Sequence, residues 1–555
     1  MSSALPTPSA RRLPLAGALR LGRPSDIWFK PALSVVAAVA PPSLLLVALG
    51  RLDLATYTMA GSLCALYAHN RPYAARARAL AWVVLGMLGG LGTALVAASL
   101  TRDAVALVAV GAVLAAVQKA LCDATRIGPP AHVILIFVSS ASLFVPQTLG
   151  QVPGHLALTA AAGAWAWLVG MAPALCRPHG PERRATAHAL RSAAAYAETA
   201  EAGEGDPRAR ADAYGAVQAA WQSLSAAGSR PSGTRRGLER LVVRAEVALA
   251  APADADPARL RGWARGLRGT GPVPRPGDPR TGADELLGVA GERAAAPRSP
   301  RSGLGALTPI AVRTALGCAL AGYASLALGV GRPYWALVTA AALHQANITL
   351  TWSRTVQRVV GNLVGVLVFA AVAPVAHLGP LALVLCCLVL NFGAEAFISR
   401  NYWLGSVCVT PLALLVTEFP GHRPAGELVT DRVVDTLVGA LAGFAAALLV
   451  TNRRAGDRVE EALTAVDRAR EGAARLLADP QAAPAALAAA RRHLAGVLVG
   501  LRAAADAASG EWWQRAVPQE RVVLAEQSGH RTLAATVRRQ GPLPGTSTHT
   551  EDARP

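Results

Sequence analysis

Twelve apolar stretches fall along this chain in two groups of six. The first group lies at about 28–48, 53–69, 79–100, 104–121, 131–149 and 155–175, the second at about 307–329, 334–350, 356–375, 380–398, 402–418 and 431–450. A hydrocarbon core takes about twenty helical residues, fewer where neighbours shield the ends. Each stretch therefore predicts a membrane helix, and Pro41-Pro42 predicts a kink or break inside the first. Between the groups the pattern turns amphipathic and rich in Ala, Arg and Glu, with helical periodicity near 182–202, 208–228, 235–251 and 256–268. The Pro/Gly run from Thr270 interrupts it before a further patch at 282–296. Residues 452–540 repeat that amphipathic character, and Trp512-Trp513 suit either an anchor on the insert or bilayer surface, or burial in a helical bundle.

The expected fold is an all-α membrane protein: two parallel six-helix transmembrane repeats with a helical cytoplasmic insert and a C-terminal helical domain. The corresponding segments are a tail (1–26), a first repeat (27–176), the insert (177–304), a second repeat (305–451), the C-terminal domain (452–540) and a disordered end (541–555). Charge supplies the orientation. With the N-terminus cytoplasmic, alternate turns carry Arg71, Arg76 and Arg78, then Lys119 and Arg126, then Arg177, Arg183 and Arg184. In the second half the same side receives Arg354 and Arg358, Arg400, and Arg453 and Arg454. This is a positive-inside distribution, and it places both termini in the cytoplasm of a cell-membrane protein. Leu85–Gly90 aligns with Val360–Gly365, and Val105–Lys119 with Pro380–Ala394, at one offset of 275 residues. An even number of spans per copy makes such a repeat parallel.

Composition agrees with a membrane protein and removes several alternatives. The chain is 53% hydrophobic and 16% charged, with a formal charge of +19 carried almost wholly by arginine; Lys30 and Lys119 are its two lysines. Mean hydropathy is +0.35. The basic excess is explained by membrane orientation and not by nucleic acid. Seven cysteines sit in or beside apolar runs without a CxxC pair, which argues against a disulfide framework or a zinc site. No phosphate loop, HExxH or GxSxG occurs, so the expectation is a protein that is not an enzyme and has no cofactor or metal.

The most informative stretch is Gly331–Ala370, which reads as two apolar helices joined by a short basic turn, the first running from Tyr334 to Leu350. Polar groups inside spans are costly and face other helices or a water-filled path. Candidate substrate-binding residues are Arg354, Arg358, Asn362, Asn391, Gln345 and Asn347. The guanidinium groups suit a carboxylate, although they also serve the positive-inside pattern. Glu395 and His344 are candidate proton-coupling residues; the plainer readings are an interfacial carboxylate paired with Arg400 and a histidine bonded between helices. Arg432, Asp435 and Thr436 are either a gate or a mutually neutralising set. Lys119 and Asp123, four apart, read as an ion pair. The Gly361–Gly365 step predicts close approach of a second helix.

Pro333-Tyr334-Trp335-Ala336-Leu337-Val338-Thr339, Arg358–Gly365 and Arg432–Gly439 together resemble the FUSC family, the fusaric acid resistance and aromatic acid exporter-like membrane proteins. The resemblance covers about 305–450 well and the first half as a weaker copy. Members often carry Thr where this chain has Asn362. The resemblance implies export of aromatic or other organic acids. Joined to Glu395 or His344, it gives an expectation of proton-coupled efflux by an integral membrane transporter. An organic-anion channel, and a non-transporting scaffold whose helical modules recruit partners, are the rival readings. The expected partners are the bilayer, a small organic acid and a second copy in a homodimer, with no nucleic acid.

Overall fold

A computed structural model describes residues 15, 17–22, 27–201, 207–227, 232–275, 304–345, 347–421, 424–450, 455–511 and 518–540. The expected helix at 282–296, Trp512-Trp513 and the end after 541 lie outside the described residues.

Helices form every regular element among the described residues. The first half contains α1 (Phe29–Ala48), α2 (Ala55–Ser62), α3 (Tyr73–Leu100), α4 (Ala104–Thr125), α5 (His132–Leu143), α6 (Val152–Met171) and the short α7 (Pro173–Cys176). The insert contributes α8 (Gly180–Glu201), α9 (Pro207–Ala226), α10 (Gly233–Ala250) and α11 (Pro257–Gly266). The second half holds α12 (Leu304–Ala327), α13 (Pro333–Leu343), α14 (Ile348–Ala376), α15 (Pro380–Ile398), α16 (Tyr402–Val416) and α17 (Ala425–Leu449). The C-terminal part is α18 (Ala455–Ala478), α19 (Pro484–Ser509) and α20 (Gln519–Gln540).

Eight helices among the described residues are long and apolar enough to cross a membrane, and the protein is a multi-pass integral membrane protein. The other four expected spans are shorter. Residues 52–66 form α2 flanked by two 3-10 turns, and α5, α13 and α16 run 12, 11 and 15 residues. Their shortness has a physical reason. All eleven residues of α13 are buried, so its ends meet protein and not lipid, where unpaired backbone is tolerated. Long helices show the converse: Trp82, Leu367, Val389 and Leu441 stand exposed on outward faces, a belt that a bilayer would cover. α1 runs unbroken through Pro41-Pro42, contrary to a break there.

The expected helix from Tyr334 to Leu350 also needs correcting. The chain leaves the helix after Leu343, and Asn347 is extended (φ −146°, ψ 171°), its side chain accepting from the Leu350 N–H to start α14. An asparagine suits that N-cap role. Helix α14 therefore begins at Ile348, earlier than expected, and Arg354 and Arg358 lie one and more turns inside it.

Packing crosses between the halves. α1 packs against α15, and α12 against α4. Within the second half α14 lies along α16 at glycine contacts: a Cβ added at Gly361 would meet the Ser406 Cβ at 2.5 Å, and one at Gly365 the Thr410 Cβ at 2.6 Å. The close approach expected of that pair of glycines is present. α8–α11 share one apolar core and α18–α20 another. The two bodies join through Arg491–Glu246 at 2.9 Å and through the Tyr214 and His530 rings, 4.3 Å apart. Both hang at one end of the membrane bundle, called here the module end.

Candidate functional site

A cavity of about 1760 Å³ lies between the halves. Its lining includes Ile27, Arg71, Arg126 and Asn401 at the module end and Asp53, Pro146, Arg332 and Pro420 at the far end. Between them stand Tyr334, Val338, Phe137 and Leu412, which give the walls an apolar middle.

The cationic part of the lining is built on α14. Residues 354 and 358 are one turn apart, which puts both guanidinium groups on one face. The Arg354 guanidinium lies over the Tyr402 ring, 3.8 Å from its centroid, and Arg358 donates from Nη1 to the Tyr402 hydroxyl at 3.1 Å. Tyr402 is in place because Asn401 caps α16 and the short turn after α15 brings that cap beside α14. Arg358 is buried, and its Nε has no hydrogen-bond partner. Neither arginine forms an ion pair among the described residues, so one buried and one half-buried positive charge face a space that an anion can fill. Sequence reading missed Tyr402; the aromatic residue directly after a capping Asn and opposite a basic helix start was the available signal.

Seven of the eleven binding, coupling and gate candidates line the cavity: His344, Gln345, Arg354, Arg358, Asn391, Glu395 and Arg432; so do Lys119 and Asp123. His344 is buried, its ring against Gly317 of α12 and beside the backbone of Ala340 in α13 and Gly443 in α17. Gln345 takes a hydrogen bond arrangement local to the break, donating from its backbone to Thr351 and from its side chain to the His344 carbonyl. Asn391 is buried with an unbonded Nδ2. Glu395 has no ion pair or hydrogen bond among the described residues, so the pairing with Arg400 is not formed.

The remaining four sit elsewhere. Asn347 caps α14 and donates to the Asp506 carbonyl of α19. Asn362 donates to Thr436 at 2.9 Å and accepts from Thr410 at 2.6 Å, tying α14, α16 and α17 together in a buried knot. Asp435 accepts from Ser325 of α12 at 2.6 Å and does not come within ion-pair distance of Arg432, although each acts on the other's charge. Instead Arg432 is 2% exposed and stacks over Trp335, 5.1 Å from the ring centroid. Lys119 and Asp123 do pair, at 2.9 Å.

The module end of the cavity is fastened from outside the bundle. Residues 17–22 cross the start of α16: Asn401 donates to the Ala18 and Arg20 carbonyls, Trp403 to Leu19 and Gln357 to Ala18. The end of α19 docks on the break before α14, with Thr349 donating to the Gly510 carbonyl and Glu511 meeting Arg313 in a buried, two-pronged ion pair at 3.2 and 3.3 Å.

Residues 318–446 match the model of the fusaric acid resistance protein-like family. The three sequence stretches that carried the resemblance lie inside that match. A relative from Bacillus subtilis (strain 168), described as the uncharacterized membrane protein YvaC, is 31% identical over 146 residues, which are 26% of this chain and 23% of the relative. The chain thus covers under a quarter of that relative's length. No solved structure matches.

Proposed function

We propose that the protein is a transporter that moves aromatic or other organic acids out of the cytoplasm through this cavity, coupled to protons. The observation that carries the reading is a pair of guanidinium groups, the half-buried Arg354 and the buried Arg358, that face a cavity lined from both ends of the bundle and have no carboxylate partner among the described residues. Desolvated cations are costly unless paired. An incoming carboxylate would supply the missing charge through two-pronged hydrogen bonds, and the apolar walls would take a ring.

In this reading Glu395 or His344 exchanges the coupling proton, since each is a titratable group that lines the cavity. In this reading the module end faces the cytoplasm, which the positive-inside distribution supports, and the membrane is the cell membrane. The halves are read as two parallel copies. α1 and α12 begin at residues 29 and 304, α3 and α14 at 73 and 348, and His69 and His344 follow the same spacing. The reciprocal packing of α1 on α15 and α12 on α4 is the pattern that a two-fold relation produces.

The test is accumulation of a panel of aromatic acids in cells with and without the protein, before and after the proton gradient is collapsed. Expected is lower accumulation with the protein, lost on collapse. Efflux unchanged by collapse would remove the proton coupling, and ohmic anion currents under patch clamp would replace the carrier by a channel.

A further inference from the structure

We propose that Arg332 and Arg432, whose guanidinium groups both lie over the Trp335 ring, form a second anion-binding station for an organic carboxylate in the far half of the cavity. The proposal rests on the reading of the cavity as an anion route and adds a site to it.

The indole of Trp335 is fully buried, with the Arg332 guanidinium 5.0 Å and the Arg432 guanidinium 5.1 Å from its ring centroid. Both arginines line the cavity. Arg432 is buried, with Nε and Nη1 lacking partners, and Nη1 of the half-buried Arg332 also lacks one. Asp431 acts electrostatically on Arg332, and Asp435 on both arginines, but among the described residues neither carboxylate comes within ion-pair distance of them, and Asp435 accepts from Ser325. Stacking on an indole orients a guanidinium and leaves its edge free to donate. Two such edges in a water-poor space suit a carboxylate.

The station lies beyond the first along the cavity, close enough that Arg432 feels the charge of Arg358. α14 runs away from the module end and α17 runs back towards it. Arg358 lies one turn before Asn362, and Arg432 one turn before Thr436. The Asn362–Thr436 hydrogen bond therefore has Arg358 on its module side and Arg432 on its far side. An acid leaving the Arg354–Arg358 pair would meet a second cationic group instead of an apolar barrier, which lets tight capture coexist with release.

The experiment is equilibrium binding of radiolabelled benzoate to the purified full-length protein in detergent. Wild type is expected to bind two benzoates per chain. Arg432→Gln and Arg332→Gln should each leave one, with the affinity of the lost site falling roughly tenfold or more; Arg358→Gln should remove the other, and Arg432→Lys should retain partial binding. Because Arg332 is half-buried, Arg332→Gln carries the test if Arg432→Gln does not fold. Wild-type stoichiometry and affinity in both glutamine variants, with all binding lost in Arg358→Gln, would overturn the second station and leave the anion route standing. No benzoate binding by wild type would overturn both.

Discussion

Arg358 and Asn362 sit one turn apart on α14 and do different work. Arg358 faces the cavity with a tyrosine hydroxyl as its bonded partner, while Asn362 is spent on Thr410 and Thr436. Sequence spacing put both on one stripe and could not separate them, because the partner that decides each role lies on a helix about 45 or 75 residues away. The same holds for Arg432. Its i, i+3 relation to Asp435 suggested a pair, but Ser325 of α12 takes the aspartate. Two outcomes follow at this scale. Asn362→Leu should leave the Thr410 and Thr436 hydroxyls short of a partner and lower stability by about 1–3 kcal/mol, read as a reduced melting temperature in detergent. Glu395→Gln should abolish acceleration of organic-acid release by an opposing proton gradient while keeping some gradient-independent flux; a variant that still responds fully moves the coupling role to His344.

Among elements, the long helices were legible because each carries about twenty apolar residues without interruption. The four short ones were placed but not measured. Hydropathy continues from α13 through Ile348–Leu350, and only the capping geometry of Asn347 shows where the helix stops. Removing that cap with Asn347→Ala should destabilise the start of α14 by about 1 kcal/mol and loosen the contact with Asp506, seen as faster amide exchange over 347–352 and 506–511. The Gly361–Gly365 step was legible outright, since small residues four apart point to helix contact. Gly365→Leu should force α14 from α16 and displace Tyr402 from Arg358, so organic-acid binding falls together with melting temperature.

At the scale of the molecule, the chain is a membrane bundle with a cavity between its halves and two helical bodies joined at one end. The residues that make that joining were not legible: the contacts bring Tyr214 and His530 together across more than three hundred positions. It has a pH signature. Burial, and then the charge of Arg210, push His530 down from its ordinary 6.5 to about 4. The folded protein holds this histidine neutral, while the unfolded chain protonates it below about pH 6.5. Its contribution is therefore present above pH 6.5 and lost as pH falls towards 4. Melting curves of wild type and His530→Phe should diverge over that window and run parallel above it; equal slopes would mean that the ring is solvated. The central claim is that the cavity carries an acid past Arg354 and Arg358. It is tested most directly by loading proteoliposomes with radiolabelled benzoate and timing its release through wild type and Arg354→Gln/Arg358→Gln. The account predicts saturable release by wild type and at least a roughly tenfold slower rate in a folded double variant. Equal rates, or release no faster than from protein-free vesicles, would contradict it.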